Sequence, residues 1–261
     1  MIESLHSPHI ARVKALTGSK GAKERREQGL FVAEGVQCAR EALTSKTGPD
    51  IKTMYVTEGG RARIAELGLE SIDVIEVSEA VMKAMADTVT PQGVLTVCYK
   101  PELSLTEMDF GNRPLVIYLH QIQDPGNAGT VLRSADAMGV SAVITSPESV
   151  DMYSPKVVRS TAGSLWNIPI VEGVELADVA QKLPDAARVL LSSHATQTVV
   201  NVDVPHGAIA IFGNEARGVR ASELSVPVTE VVIPMHGRAE SLNLSAAAAI
   251  TMFTLSAKVA G

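Results

Sequence analysis

Apolar residues along the chain fall into two series, each alternating short apolar runs with longer amphipathic stretches. In residues 1–100, the stretch from about 2 to 28 has helical spacing. Strands are predicted at 29–35, 51–58, 72–79 and 93–100, and helices at 36–45, 61–68 and 80–88. Alternation on this scale predicts a small αβα sandwich. Residues 101–114, PELSLTEMDFGNRP, carry two prolines and a glycine among mixed polar residues and read as a linker.

Beyond it a second α/β series begins. Its strands are predicted at 115–120, 142–146, 168–172, 189–193, 208–213 and 230–235. These runs show little polar alternation, as expected of a parallel sheet covered on both faces. Helical stretches lie at 128–139, 154–165 and 175–183, and an Ala-rich last helix runs from about 242 to 259. The domains are therefore placed at 1–105 and 106–261.

Composition agrees with this picture. The 261 residues are 46% hydrophobic but only 3% aromatic, so aliphatic residues must fill the core. That mix favours α/β layers over an aromatic-rich β-sandwich. No apolar run reaches the ~18 residues of a membrane span. The first residues lack the apolar core of a signal peptide, and Cys38 and Cys98 have neither metal nor redox spacing. The expectation is a reduced, cytoplasmic protein.

The net charge of −6 argues against a nucleic-acid partner. Its distribution qualifies that argument. Residues 106–261 carry a net −5, whereas residues 1–30 carry a net +3. Arg12, Lys14, Lys20, Lys23, Arg25 and Arg26 make up that basic segment. A local basic patch contacts phosphates even on an acidic protein, although a solvated helical face would look the same.

Ligands of open α/β sheets gather beyond the carboxyl ends of the strands. Three loops there are rich in special residues. In the first, residues 120–140, Asn127 suits a helix cap and Arg133 follows on that helix. In the second, residues 211–219, Gly213 and Gly218 flank Asn214-Glu215 and let a ligand approach the main chain. In the third, residues 233–250, Ser241 suits the N-cap of the last helix, and Asn243 sits in a first turn where Ala or Glu would serve better. Taken singly, each loop also reads as an ordinary connection. The sequence contains no G-x-G-x-x-G after the first strand of either half, no phosphate-binding G-x-x-x-x-G-K-[ST], no H-E-x-x-H, no C-x-x-C and no G-x-S-x-G. Dinucleotide, P-loop, zinc and serine-hydrolase chemistry therefore have no support, and no metal is expected.

In order and spacing, DPGNAGTVLRSADAMG, FGNEARG and IPMHGRAESLNLSAAAAI resemble motifs 1, 2 and 3 of the SpoU (TrmH) family of RNA 2′-O-methyltransferases, within the SPOUT superfamily. PKVVRSTAGSLWNIP resembles the segment between motifs 1 and 2, so the likeness covers residues 113–258. RREQGLFVAEGVQCAREAL and TPQGVLTV resemble, more loosely, the L30e-like accessory substrate-binding domain.

The resemblance implies a parallel sheet with a C-terminal trefoil knot (roughly residues 189–255), preceded by an L30e-like αβα domain. It implies a homodimer that takes its methyl group from S-adenosylmethionine and acts on structured RNA, with rRNA ahead of tRNA. By matching position, Gly213, Asn214, Gly218, Ile233, Met235 and Leu242 would hold the cofactor. Arg133, Asn127, Glu215, Ser241 and Asn243 would form the catalytic set, with Arg133 at its centre. Arg12, Lys14, Lys23, Arg25 and Arg26 would contact RNA. Two other readings stay open: a non-catalytic RNA-binding protein with a degenerate methyltransferase domain, and a small-molecule α/β enzyme using the same loops.

Overall fold

The computed structural model describes residues 1–68 and 73–260. The chain divides into two compact units. One joins Met1–Glu102 to Asp151–Asn167, and the other joins Leu103–Val150 to Ile168–Gly261.

The first unit is built on a four-stranded mixed sheet. Its strands are β1 (Leu30–Glu34), β2 (Ile51–Val56), β3 (Ile75–Glu76) and β4 (Val94–Tyr99), in the order β1-β4-β2-β3. Helices α1 (Pro8–Thr17) and α5 (Glu79–Met85) cover one face, where Val13, Leu16, Val81 and Met85 meet Leu30, Tyr55 and Leu95. Helices α3 (Val36–Thr44) and α4 (Glu58–Ala65) cover the other, through Ala39 and Ile64 against Met54 and Val56. This is the expected αβα sandwich. The predicted strand at 72–79 is reduced to β3, and Ile72 lies outside the described residues.

The stretch read as one helix is two. Ser7 caps α1, and Pro8 fills its first turn without wasting a donor. Gly18 ends α1, and α2 (Gly21–Gln28) then closes on Gly29 in the left-handed region. Residues 151–167 complete this unit. They supply α7 (Pro155–Ser160), and Phe31 packs between the rings of Tyr153 and Trp166 at centroid distances of 5.1 and 6.0 Å.

The second unit carries a six-stranded, all-parallel sheet. Its strands are β5 (Leu115–Leu119), β6 (Ala142–Thr145), β7 (Ile170–Val171), β8 (Ala187–Leu191), β9 (Ala208–Phe212) and β10 (Thr229–Val231), ordered β10-β8-β9-β5-β6-β7. The sheet is covered on both faces, which is why β5, β6 and β9 read as unbroken apolar runs. On one face Val116, Tyr118, Ile209 and Ile211 pack with helix α8 (Leu176–Lys182) and with the segment from Val219 to Val228. Helix α9 (Leu244–Ala260) contacts β5 and β9 and packs on α6 (Pro125–Ala137). Strand order reverses between β5 and its neighbours β9 and β6, so the carboxyl ends of β5 and β9 open side by side.

Candidate methyl-transfer site

The site lies within the second unit, at the carboxyl ends of β5, β8, β9 and β10. A pocket there is walled by apolar side chains, among them Leu191, Phe212, Ile233 and Leu242. Gly213, Asn214, Glu215 and Gly218 form its polar side.

The 213–219 loop is held by Asn214. Its Oδ1 accepts from the backbone N–H of Ala216 and Arg217, at 3.0 and 3.3 Å, and its Nδ2 donates to the Gln121 carbonyl at 2.9 Å. Asn214 and Gly218 form a bridge that folds the loop back on itself. A Cβ on Gly213 would lie 2.5 Å from backbone atoms of Gly218 and Val219, and Gly218 itself has φ +66°. Only glycine fits this close approach of main chain to main chain.

Glu215 ties that loop to the start of α6. Its carboxylate accepts from the N–H of Gln123 and Asp124, at 3.1 and 2.9 Å, and from Asn127 Nδ2 at 3.4 Å. Asn243 Nδ2 in turn donates to Asn127 Oδ1 at 3.0 Å. Glu215, Asn127 and Asn243, which come from three separate loops, thus form one hydrogen-bonded chain. Arg133 lies six residues along α6 from Asn127. It is exposed, with no hydrogen bond or ion pair among the described residues, so its guanidinium is free to meet an anion.

Two cap expectations are corrected. Asp124, not Asn127, caps α6 by accepting from the Asn127 N–H at 2.8 Å. Asn243, not Ser241, caps α9, because its Oδ1 accepts from the N–H of Ser245 and Ala246 at 2.9 and 3.4 Å. In both cases the spacing left several polar residues in reach of a free helix N–H.

All six residues expected at the cofactor line this pocket, as do Glu215 and Ser241. Asn127 joins the site through Glu215, and Asn243 through Asn127. Sequence reasoning missed Leu191, Ser192 and Ser193 at the end of β8, together with Val232 and Glu240. The signal for the first three was present: the run at 189–193 ends at the same sheet edge as the motif loops.

The basic segment belongs to the first unit. Arg12, Lys14, Lys23 and Arg26 are exposed on α1 and α2. Lys14 Nζ reaches the Ala86 carbonyl at 2.9 Å, and Lys23 pairs with Glu27 at 3.6 Å. Arg25 does not share that surface. It is 5% exposed, pairs with Asp151 at 2.7 Å and donates to the Leu16 carbonyl. A buried charge so fully paired is structural.

The two cysteines are poor nucleophiles. Burial pushes the Cys38 thiol up to about 11 and the Cys98 thiol up to about 12. Among the described residues no cluster of His, Cys, Asp and Glu could hold a metal ion, and no helix is long and apolar enough to cross a membrane.

The pocket suits a ligand with an apolar body and a few polar edges. Adenine and a thioether-like sulfonium chain could lie along the Leu191–Phe212–Leu242 wall while main-chain groups of the glycine loop meet the polar atoms. S-adenosylmethionine fits this donor set.

Comparison with known proteins agrees. Residues 114–253 match the SpoU rRNA Methylase family, and residues 8–96 match the MRM3-like substrate binding domain. The chain is 32% identical to an uncharacterised tRNA/rRNA methyltransferase of Synechocystis, over 97% of this chain and 92% of that protein. It is also 32% identical to the 23S rRNA (guanosine(2553)-2′-O)-methyltransferase RlmP of Bacillus subtilis, over 97% of this chain and 99% of that protein. The AdoMet-bound rRNA methyltransferase of Sinorhizobium meliloti superposes with a TM-score of 0.82 at 28% identity, covering 97% of this chain and 96% of that one. A family match over more than half of the chain, beside a relative aligned nearly end to end, places the protein in the SpoU rRNA methylase family.

Proposed function

We propose that this chain is an S-adenosylmethionine-dependent methyltransferase that acts on the ribose 2′-hydroxyl of rRNA. The observation that carries this reading is the hydrogen-bonded chain from Asn243 through Asn127 to Glu215, at the rim of the glycine-loop pocket. It fixes the start of α6, and with it Arg133, relative to the pocket.

Bound S-adenosylmethionine supplies an already activated methyl group. The remaining work is positioning and charge, which this chain's residues perform. Gly213 and Gly218 bring main-chain groups close to the ligand, while Leu191, Phe212 and Leu242 exclude water from it. Arg133 meets the 2′-oxygen as its proton passes to solvent water. An arginine stays protonated at any working pH, with a pKa above about 12, so we assign it orientation and stabilisation of the developing alkoxide. Exposed Arg12, Lys14, Lys23 and Arg26 supply phosphate contacts from the first unit, and Arg25 is left out of that set. We further infer a homodimer, a knotted C-terminal segment and a cytoplasmic location. The free, buried Cys38 and Cys98 suit a reducing compartment.

Methyl transfer from labelled S-adenosylmethionine to rRNA from a strain lacking the gene tests the proposal. Arg133→Ala is expected to lower the rate about 10²–10³-fold, the usual cost of losing one such donor. Calorimetric affinity for the cofactor should stay unchanged. Near-normal turnover by that variant would remove Arg133 from the chemistry.

A further inference from the structure

A second pocket opens beside the first, on the other side of Asn214. Its lining residues are all polar or charged: Gln121, Gln123, Glu148, Asn214 and Arg217. Asn214 belongs to both walls. Nothing in the hydrogen-bonded chain of Asn243, Asn127 and Glu215 requires Gln121, Glu148 or Arg217.

The backbone here is held in an unusual form. Among the described residues three non-glycines have positive φ, and two of them line this pocket: Gln121 at +52° and Glu148 at +63°. Such residues persist only where their surroundings over-determine them. Gln121 meets that condition. Its N–H donates to Ser146 Oγ at 2.7 Å, and its carbonyl accepts from Asn214 Nδ2 at 2.9 Å. Gln123 Nε2 donates to the Glu148 carbonyl at 2.6 Å.

This frame sets out a fixed row of polar groups. The Gln121 carboxamide lies between two opposite charges. Its Nε2 donates to Glu148 Oε2 at 3.2 Å, and its Oε1 accepts from Arg217 Nη2. Glu148 and Arg217 each keep hydrogen-bonding capacity: free lone pairs on both carboxylate oxygens of Glu148, and Nε and Nη1 of Arg217. The pocket therefore offers an acceptor on one side and a cationic donor on the other, with the Gln121 carboxamide between them.

Single-stranded RNA is read by hydrogen bonds to the edges of splayed bases. Guanine's Watson–Crick edge has two adjacent donors, N1–H and N2–H, beside the acceptor O6. A carboxylate takes the donors and a guanidinium takes the acceptor. Adenine and cytosine would turn an exocyclic amine toward Arg217 and an acceptor toward Glu148. Uracil offers Glu148 one donor instead of two. We propose that this pocket binds the base of the target nucleotide and selects guanine, with Glu148 on N1–H and N2–H and Arg217 on O6. The proposal rests on the reading of the adjoining site as a ribose methyl-transfer centre.

The test has two steps. First, rRNA from a strain lacking the gene is methylated in vitro by the full chain, and the modified nucleotide is mapped. The expected target is a guanosine. Transfer to the ribose of any other nucleotide overturns the pocket assignment alone, whereas absence of transfer overturns the methyltransferase reading and this proposal with it. Second, an rRNA fragment spanning the mapped position is made with guanosine or inosine there. Inosine lacks only the N2 amine. It is expected to lower kcat/KM by about tenfold with the unaltered protein, in the range of one good base contact. In Glu148→Gln the guanosine-to-inosine ratio should fall toward one, with calorimetric affinity for S-adenosylmethionine unchanged. A Glu148→Gln protein that keeps the original ratio would overturn the assignment.

Discussion

Asn243 performs two tasks with one amide. Its oxygen caps α9, and its nitrogen holds Asn127. Asp caps a helix as well as Asn does, but an ionised carboxylate cannot donate. Asn243→Asp should therefore keep the melting temperature while lowering methyl transfer up to about tenfold, as expected for one lost hydrogen bond of about 0.5–1.5 kcal/mol. Asn243→Ala should lose stability as well, by about 1 kcal/mol. Thermal unfolding beside a transfer assay separates the two roles; equal activity in the Asp variant would reduce Asn243 to a cap. His120 gives a different readout. Its ring lies near Tyr118, its Nδ1 is buried without a partner, and burial followed by the Arg217 charge lowers its pKa from the ordinary 6.5. The unfolded chain then binds a proton that the folded chain resists. The stability tied to this group is complete above pH 6.5 and is lost as pH falls through the lowered value. Urea unfolding should show a smaller loss between pH 7 and pH 5 in His120→Gln than in the natural chain.

At the scale of elements, the loop from Gly213 to Val219 is the part least tolerant of change. Gly213→Ala would drive a Cβ into backbone, not into a flexible side chain. Overpacking of this kind costs about 1–3 kcal/mol and here would deform the pocket wall, so cofactor affinity measured by calorimetry should fall at least about tenfold. The secondary structure around this loop was largely legible. The runs at 115–120, 142–146 and 208–213 are strands to within a residue or two, because both faces of that sheet are covered and its strands had to be apolar throughout. Choices among neighbouring polar residues were not legible. Asp124 and Asn127, or Ser241 and Asn243, are equal candidates by spacing, and only the three-dimensional path of the chain decides which side chain reaches the free N–H groups. Arg25 failed for a related reason. Nothing near it in sequence shows that it is buried, because its partner Asp151 lies 126 residues away. The second, polar pocket was equally hidden, since positive φ at Gln121 and Glu148 leaves no mark in residue type.

On the scale of the whole molecule, the outer surface of α9 matters most. Ala246, Ile250, Phe253 and Ala257 are exposed at a helical spacing that puts them on one stripe. Phe253 is 65% exposed and Ile250 41%. The other side of the helix buries Ala247, Ala248, Thr251, Met252 and Leu255, so α9 is apolar on both sides, as if it lay between two layers. A second copy of this chain would provide the missing layer, because a two-fold contact sets one patch against itself. Fully burying a side chain like Phe253 contributes about 1.5–3 kcal/mol on each side, and a two-fold contact counts it twice. Phe253→Glu would place two carboxylates against each other at such an interface without disturbing the buried side of the helix. The expected result in sedimentation equilibrium is twice the single-chain mass for the natural protein and the single-chain mass for the variant, with unchanged circular dichroism. A natural protein that sediments as one chain, or a variant that stays paired, would mean that this stripe is not where two copies meet. The same variant bears on activity. Arg133 lies free on α6, the helix against which α9 packs, and does not line the cofactor pocket of its own chain. If pairing orders this region, Phe253→Glu should lower methyl transfer while the cofactor still binds.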